Sequence, residues 1–289
     1  MFTGVLPAIV TPFKNGGLDE EGLRQLIEFH LENGVHGIVP CGTTGESATL
    51  SHDEHERVVE ITVEQVNGRV PVVAGTGSNN TAEAVRLTAH AKKAGADGVL
   101  MISPYYNKPT QEGIYQHYAA IASLSELPVM LYNVPGRTGS NISAETALRL
   151  ASDFQGTIIG VKEASGNFEQ LMELINKRPD GFLAVSGDDA ITLPLIAAGG
   201  DGAISVIGNA YPARISLMVA AALDGSYLKA RELHYMLFPM MRAIFKEGNP
   251  TGIKAAMEIR GWIDNVLRLP LIPASSALYQ EIARLDSQL

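Results

Sequence analysis

One lysine stands at the end of an apolar run, where a charge is out of place. The stretch Thr157-Ile158-Ile159-Gly160-Val161-Lys162-Glu163 reads as a buried strand. Strict alternation puts Ile159 and Val161 toward covering helices and Ile158, Gly160 and Lys162 toward the opposite, interior face. An ordinary lysine, with a pKa of about 10.4, is neutral in roughly one molecule in 2,500 at pH 7, and only the neutral amine attacks a carbonyl. Apolar surroundings lower that pKa to roughly 7 to 8, which makes the amine a competent Schiff-base nucleophile. The strand by itself also suits a lysine paired with Glu163 or one that reaches out to the rim. Other groups have to decide.

Three segments offer such groups. In Pro128-Val129-Met130-Leu131-Tyr132-Asn133, Met130 and Tyr132 share a face, so a phenol able to donate or accept a proton ends the preceding strand. The bland alternative is a core aromatic whose hydroxyl is satisfied. Gly42-Thr43-Thr44-Gly45-Glu46, just ahead of an expected helix, offers backbone N–H groups and two hydroxyls to a small carboxylate, or is an ordinary turn. Arg137, in Tyr132-Asn133-Val134-Pro135-Gly136-Arg137-Thr138, brings a planar fork that binds a second carboxylate bidentately, although many loop arginines are simply solvated.

Elements of one kind must carry these residues. Eight apolar, β-rich runs occur at 5–13, 37–41, 70–75, 98–103, 128–133, 157–162, 183–186 and 203–207. Between them lie stretches with helical spacing, such as Leu23, Leu26, Ile27 and His30, whose apolar faces need a sheet to cover. Ser51-His52-Asp53-Glu54 has capping-box spacing, and Gly34, Gly68 and Gly95 fall where helices should stop. Strands regularly followed by helices imply parallel βαβ units, and eight of them close into a (β/α)₈ TIM barrel with active residues at the strand ends. The competing fold, a doubly wound open sheet, lacks a G-x-G-x-x-G after the first strand; only Gly75-Thr76-Gly77 follows the third. The barrel is expected over 1–225. A C-terminal helical extension packed on it is expected over 226–289, where Leu233, Met236, Leu237, Ile253 and Met257 recur at helical spacing.

Composition narrows the class. The 289 residues are 46% hydrophobic and 18% charged, with a formal charge of −9 and a single cysteine. That balance is globular. It argues against nucleic acid, which needs clustered basic residues, and no run is long enough to span a bilayer. The opening Met1-Phe2-Thr3-Gly4-Val5 lacks the basic flank of a signal peptide, so the expected location is cytoplasmic. Cys41 is read as a small buried hydrophobe.

Taken together, the lysine, the tyrosine, the paired threonines and the loop arginine resemble the dihydrodipicolinate synthase branch of the N-acetylneuraminate lyase family of class I aldolases, over essentially the whole chain. The resemblance implies that Lys162 forms an imine with pyruvate while Tyr132, Thr43 and Tyr106 relay protons, Tyr106 reaching the site of a neighbouring subunit. It further implies that Thr44 and the Thr43 backbone hold the pyruvate carboxylate, that Arg137 holds that of aspartate semialdehyde, and that the Gly187 and Ile204 carbonyls line the pocket. No cofactor or metal is implied. A homotetramer, a dimer of dimers, is. Ser47, Ala48, His52, His55, Asn79, Glu83 and Tyr105 match positions that bind lysine in feedback-inhibited members, which implies lysine inhibition. Gly136 stands where relatives often carry Ser or Ala. His52 and His55, three apart near a helix start, could instead suggest a metal-dependent aldolase, but no third and fourth ligand appears at recognisable spacing. The other rivals are a sialic acid or keto-deoxy sugar acid lyase using the same Lys162 and Tyr132, and a non-catalytic barrel that senses a small acid.

Overall fold

The expected strands are short and apolar on both faces, which is what a sheet covered by helices outside and packed on itself inside requires. The computed structural model describes residues 2–289. It contains β1 (Gly4–Pro7), a small hairpin of β2 (Phe13–Lys14) and β3 (Gly17–Leu18), α1 (Glu20–Glu32), α2 (His52–Val66), β4 (Val73–Gly75), α3 (Thr81–Ala94), β5 (Gly98–Ile102) and α4 (Gln111–Leu124). There follow β6 (Val129–Asn133), α5 (Pro135–Thr138), α6 (Ala144–Asp153), β7 (Ile158–Glu163), α7 (Phe168–Lys177), β8 (Leu183–Ser186), α8 (Thr192–Ala197), β9 (Gly202–Ser205) and α9 (Pro212–Leu223). The chain ends in α10 (Tyr227–Ala243), α11 (Thr251–Ile259) and α12 (Ser276–Asp286). Among the described residues no helix is long and apolar enough to cross a membrane.

Seven strands form one parallel sheet in the order β1-β9-β8-β7-β6-β5-β4. The eighth staves the gap with only two residues: Val39 bridges Ala8, and Ile38 bridges Val72. Backbone bonds from both sides close the ring there, Val39 N to Pro7 O at 2.9 Å and Ile38 N to Pro71 O at 2.9 Å. The expected strand at 37–41 stops short for local reasons. Pro40 has no N–H to give, and Cys41 turns left-handed at φ 54. Likewise the expected run 5–13 keeps sheet bonds only through Ile9, whose N–H donates to Val39 O at 3.0 Å, and Phe13 pairs with Leu18 in the hairpin instead.

The inner and outer faces carry different clusters. Leu6, Val73, Leu100, Met130, Tyr132, Val185 and Ile204 fill the barrel. Val99, Val129, Leu131, Val161 and Ala184 pack outward against the helices. One expected face assignment fails: Ile158 packs outward and Ile159 inward. The register jumps there, with Val129 opposite Ile158 but Met130 opposite Gly160. The extra residue is a bulge, which reverses the alternation below it. Above the bulge the expected faces hold, so Lys162 stays directly opposite Tyr132.

Helix ends follow their local chemistry. Ser51 Oγ accepts from Glu54 N at 3.2 Å and Glu54 Oε2 from Ser51 N at 2.9 Å, the reciprocal box expected from spacing. Gly95 caps α3 at φ 94, whereas α2 ends on a left-handed Asn67 with Gly68 just beyond. Beyond α9, Leu237 and Met240 of α10, Ile253 and Met257 of α11 and Ile282 of α12 share one buried cluster with Ile215 and Val219.

Candidate active site

Lys162 ends β7 with its side chain turned into the barrel mouth and almost wholly buried. Its amine lies 4.1 Å from the centre of the Tyr132 ring, a consequence of the register that sets the two residues side by side on adjacent strands. Among the described residues no carboxylate comes within ion-pairing distance of it. The Glu163 alternative is overturned. That carboxylate points the other way, accepting from Ser165 N at 2.6 Å, Asn133 Nδ2 at 3.1 Å and Gln170 Nε2 at 3.4 Å.

A cavity of about 400 Å³ opens above this amine, lined by Lys162, Tyr132, Thr43, Thr44, Arg137 and Gly187. Six residues singled out in sequence thus converge from four strand ends. Thr43 and Thr44 sit on a turn that leads into a single 3₁₀ turn (Ser47–Thr49) rather than directly into α2, which starts at His52. Glycine at 45 fits a tight space, because a Cβ would approach Ile9 O to 3.1 Å and Cys41 N to 3.2 Å. Arg137 is exposed and belongs to the one-turn helix α5, not to an open loop. That turn is pinned by Thr138, whose Oγ1 donates to Ser140 O at 2.8 Å. Gly187 lies hard against Lys162, since a Cβ there would meet Lys162 Cε at 2.9 Å.

The remaining expected residues lie elsewhere. Ile204 is buried in the barrel-filling cluster under Tyr132 and is not part of the cavity wall. Tyr106 is 89% exposed on the loop after β5, held at φ 72 with its N–H on Thr138 O; within one chain it does not line the cavity. On another face, His52 Nε2 lies 3.3 Å from Glu83, and Asn79 Nδ2 donates to the Tyr105 carbonyl at 3.2 Å. Ser47 and Ala48 form the preceding 3₁₀ turn. His55 is buried with Nε2 2.8 Å from Gly75 O, and burial pushes its pKa down, so the two imidazoles serve different partners. Cys41 is buried, and burial raises its thiol pKa strongly.

Several cavity residues escaped the sequence reading: Asp188, Val206, Met241, Arg242, Phe245 and Asn249. The last four come from the end of α10 and the loop beyond it, remote in sequence from every barrel motif. With Lys162, Arg137 and Arg242 against the single carboxylate of Asp188, the cavity is cationic in a chain of net charge −9. That local field draws in small anions.

Comparison with known proteins agrees with this geometry. The chain matches the dihydrodipicolinate synthetase family over residues 1–289. It is 55% identical over 284 residues to the 4-hydroxy-tetrahydrodipicolinate synthase of Syntrophus aciditrophicus, covering 98% of this chain and 97% of that one. A dihydrodipicolinate synthase from Acinetobacter baumannii, crystallised with pyruvate, superposes with a TM-score of 0.96 at 42% identity, covering 100% of this chain and 99% of that one. The enzyme from Cyanidioschyzon merolae, crystallised with lysine bound, does so with a TM-score of 0.96 at 39% identity, covering 99% and 98%. A match that runs the full length of the chain, on the same barrel, settles the relationship: the chain belongs to the dihydrodipicolinate synthetase family of lyase-type enzymes.

Proposed function

We propose that the protein condenses pyruvate with L-aspartate 4-semialdehyde through an imine on Lys162, giving 4-hydroxy-tetrahydrodipicolinate on the diaminopimelate route to lysine. The observation that carries this reading is the Lys162–Tyr132 pair: a buried amine with no carboxylate partner, directly across the strand register from a phenol. Thr44 and the Thr43 backbone take the pyruvate carboxylate. The Lys162 amine adds to the ketone carbon, and the carbinolamine loses water to leave a protonated imine. That imine is an electron sink, so a methyl proton departs and an enamine forms. Tyr132, Thr43 and a neighbouring subunit's Tyr106 carry these protons. The enamine carbon attacks the aldehyde, whose own carboxylate rests on Arg137. Attack of the substrate's amine on the imine carbon closes the ring and frees Lys162. The Gly187 carbonyl, at the cavity wall, completes the pocket.

The reading extends to assembly and control. A homotetramer built from dimers would bring Tyr106 to its target, and its 89% exposure in the isolated chain suits a residue that works across an interface. The surface around His52, Glu83, Asn79 and Tyr105, with Ser47, Ala48 and His55, is the proposed seat of inhibitory lysine. A lysine-bound relative supports this.

Borohydride reduction in the presence of pyruvate tests the core claim. The intact mass should rise by one reduced pyruvyl group in the wild type and not in Lys162→Ala. Turnover with both substrates, read through a coupled reductase, should vanish in that variant and fall steeply in Arg137→Ala. Turnover of a sugar acid instead, with Arg137→Ala indifferent, would sink the assignment. A rate unchanged in millimolar lysine would sink the regulatory part.

A further inference from the structure

The turn that carries Thr43 and Thr44 has little regular structure of its own. It runs from Gly42 to a left-handed Glu46 at φ 54, with one internal bond, Glu46 N to Thr43 O at 3.1 Å. Thr11 Oγ1 donates to Gly45 O at 2.7 Å, and further anchors come from more than 200 residues away in the chain. Asn249 Nδ2 donates to Thr44 Oγ1 at 2.9 Å. Lys254 Nζ meets Glu46 Oε1 at 2.5 Å, both side chains being completely shielded from solvent. The same ammonium donates to Thr11 O at 2.8 Å and Val266 O at 2.9 Å. Arg268 N donates to Glu46 Oε2 at 3.1 Å, and its guanidinium grips Glu54 at 2.6 and 2.7 Å and Thr49 O at 3.1 Å. Both cations lie against the Phe13 ring, Lys254 at 4.4 Å and Arg268 at 4.3 Å from its centre.

A buried ion pair of this kind is a poor source of net stability, because desolvation offsets most of the attraction; fixing one geometry is its better-attested use. The direction of the Asn249 bond matters as well. A hydroxyl has one hydrogen and two lone pairs. With Asn249 donating into a lone pair, the Thr44 hydrogen remains free for an incoming carboxylate.

We propose that residues 249–268 form a strap that positions Thr43 and Thr44 for the ligand carboxylate, with Asn249 and Lys254 as positioning residues. This rests on the reading above that Thr44 holds pyruvate. The strap sets both the place of the threonine turn and the direction in which the Thr44 hydroxyl points.

The test is pyruvate KM, aldehyde KM and kcat, with thermal unfolding, on a short set of variants. Asn249→Ala is expected to raise the pyruvate KM by about threefold to tenfold, the worth of one hydrogen bond, with the aldehyde KM within about twofold of wild type. Asn249→Asp is expected to be worse than alanine, because a carboxylate takes the Thr44 hydrogen and repels the anion. A packing role predicts the opposite order, since Asp is nearly isosteric with Asn. Lys254→Met alone leaves a buried Glu46 charge and is expected to unfold early. The double variant Glu46→Gln/Lys254→Met is expected to recover the thermal midpoint while keeping a raised pyruvate KM. If the double variant and both Asn249 variants bind pyruvate as the wild type does, the strap is only structural. Thr44→Val separates the two levels: should it leave the pyruvate KM unchanged, the carboxylate assignment itself is at fault.

Discussion

Gly187→Ala is the sharpest small perturbation available at this site. A Cβ at 187 would stand 2.9 Å from Lys162 Cε, 3.0 Å from its Cγ and 2.8 Å from Ala164 Cβ. Non-bonded carbons settle at about 3.5–4.0 Å, so the three contacts are short by roughly 0.5 to 1 Å. Ala164 is a neighbouring methyl on the main chain and yields little; the flexible arm of Lys162 yields first. The amine therefore moves by about 0.5 to 1 Å, and displacement on that scale costs up to about a hundredfold in rate. Overpacking of this size costs about 1 to 3 kcal/mol of stability, which leaves a folded protein. We expect kcat down by about tenfold to a hundredfold, with slower borohydride trapping of the pyruvate adduct and a native far-ultraviolet spectrum. A kcat within twofold of wild type, in a variant shown to be folded, would refute the placement of Gly187 against the nucleophile.

Three other expectations follow from the same coordinates. Gly136→Ala meets nothing within 4 Å and replaces the poorest non-proline helix former in the α5 turn, so it should leave kcat/KM unchanged and raise the thermal midpoint slightly, with a gain of up to about 1 kcal/mol. Tyr106→Phe should lose about a hundredfold or more in turnover, as a proton-relay group does, and mixed oligomers of Tyr106→Phe with Lys162→Ala should regain activity because each chain supplies what the other lacks; no regain in verified mixed oligomers would place Tyr106 outside the partner's site. His30 and His117 are both buried, and burial pushes each pKa down to about 4. The unfolded chain, with histidine pKa near 6.5, binds the extra protons between those values, so stability falls as pH drops from about 6.5 toward 4, by up to about 3 kcal/mol for each site. Unfolding midpoints across that window should show a shallower acid limb in His30→Asn, and an unchanged limb would count against a buried neutral imidazole.

Much of the barrel and the pairing of Lys162 with Tyr132 was legible because each rests on local pattern. Val129–Asn133 and Ile158–Glu163 are consecutive strands, so their pairing follows from order along the chain, and the apolar surroundings of Lys162 are written in its own segment. What pattern could not foresee was the bulge at Ile159. One extra residue leaves no mark in an unbroken apolar run, yet it decides which of Ile158 and Ile159 faces the barrel. The shortened strand at 38–39 was half legible: Pro40 is visible in the sequence, but the left-handed turn at Cys41 is fixed by tertiary contacts such as those around Gly75, where a Cβ would collide with Cys41 O at 2.2 Å.

The cavity wall beyond the barrel was not legible at all, and the reason is physical rather than accidental. Reading the chain as a barrel over 1–225 followed by helices puts Thr44 and Asn249, and Glu46 and Lys254, on opposite sides of the division. A (β/α)₈ ring by itself leaves its strand ends open to water, so whatever covers them must come from inserted loops or from chain added at a terminus. Here Arg242, Phe245 and Asn249 supply that cover. The Glu46 carboxylate, completely shielded and with Lys254 as its cation, makes the two parts depend on each other: loss of the Lys254 charge alone would leave a buried carboxylate with no counterion, a cost of several kcal/mol. The later helices are therefore bound to the site by electrostatics as well as by their apolar cluster. The cavity belongs to the whole chain rather than to its barrel.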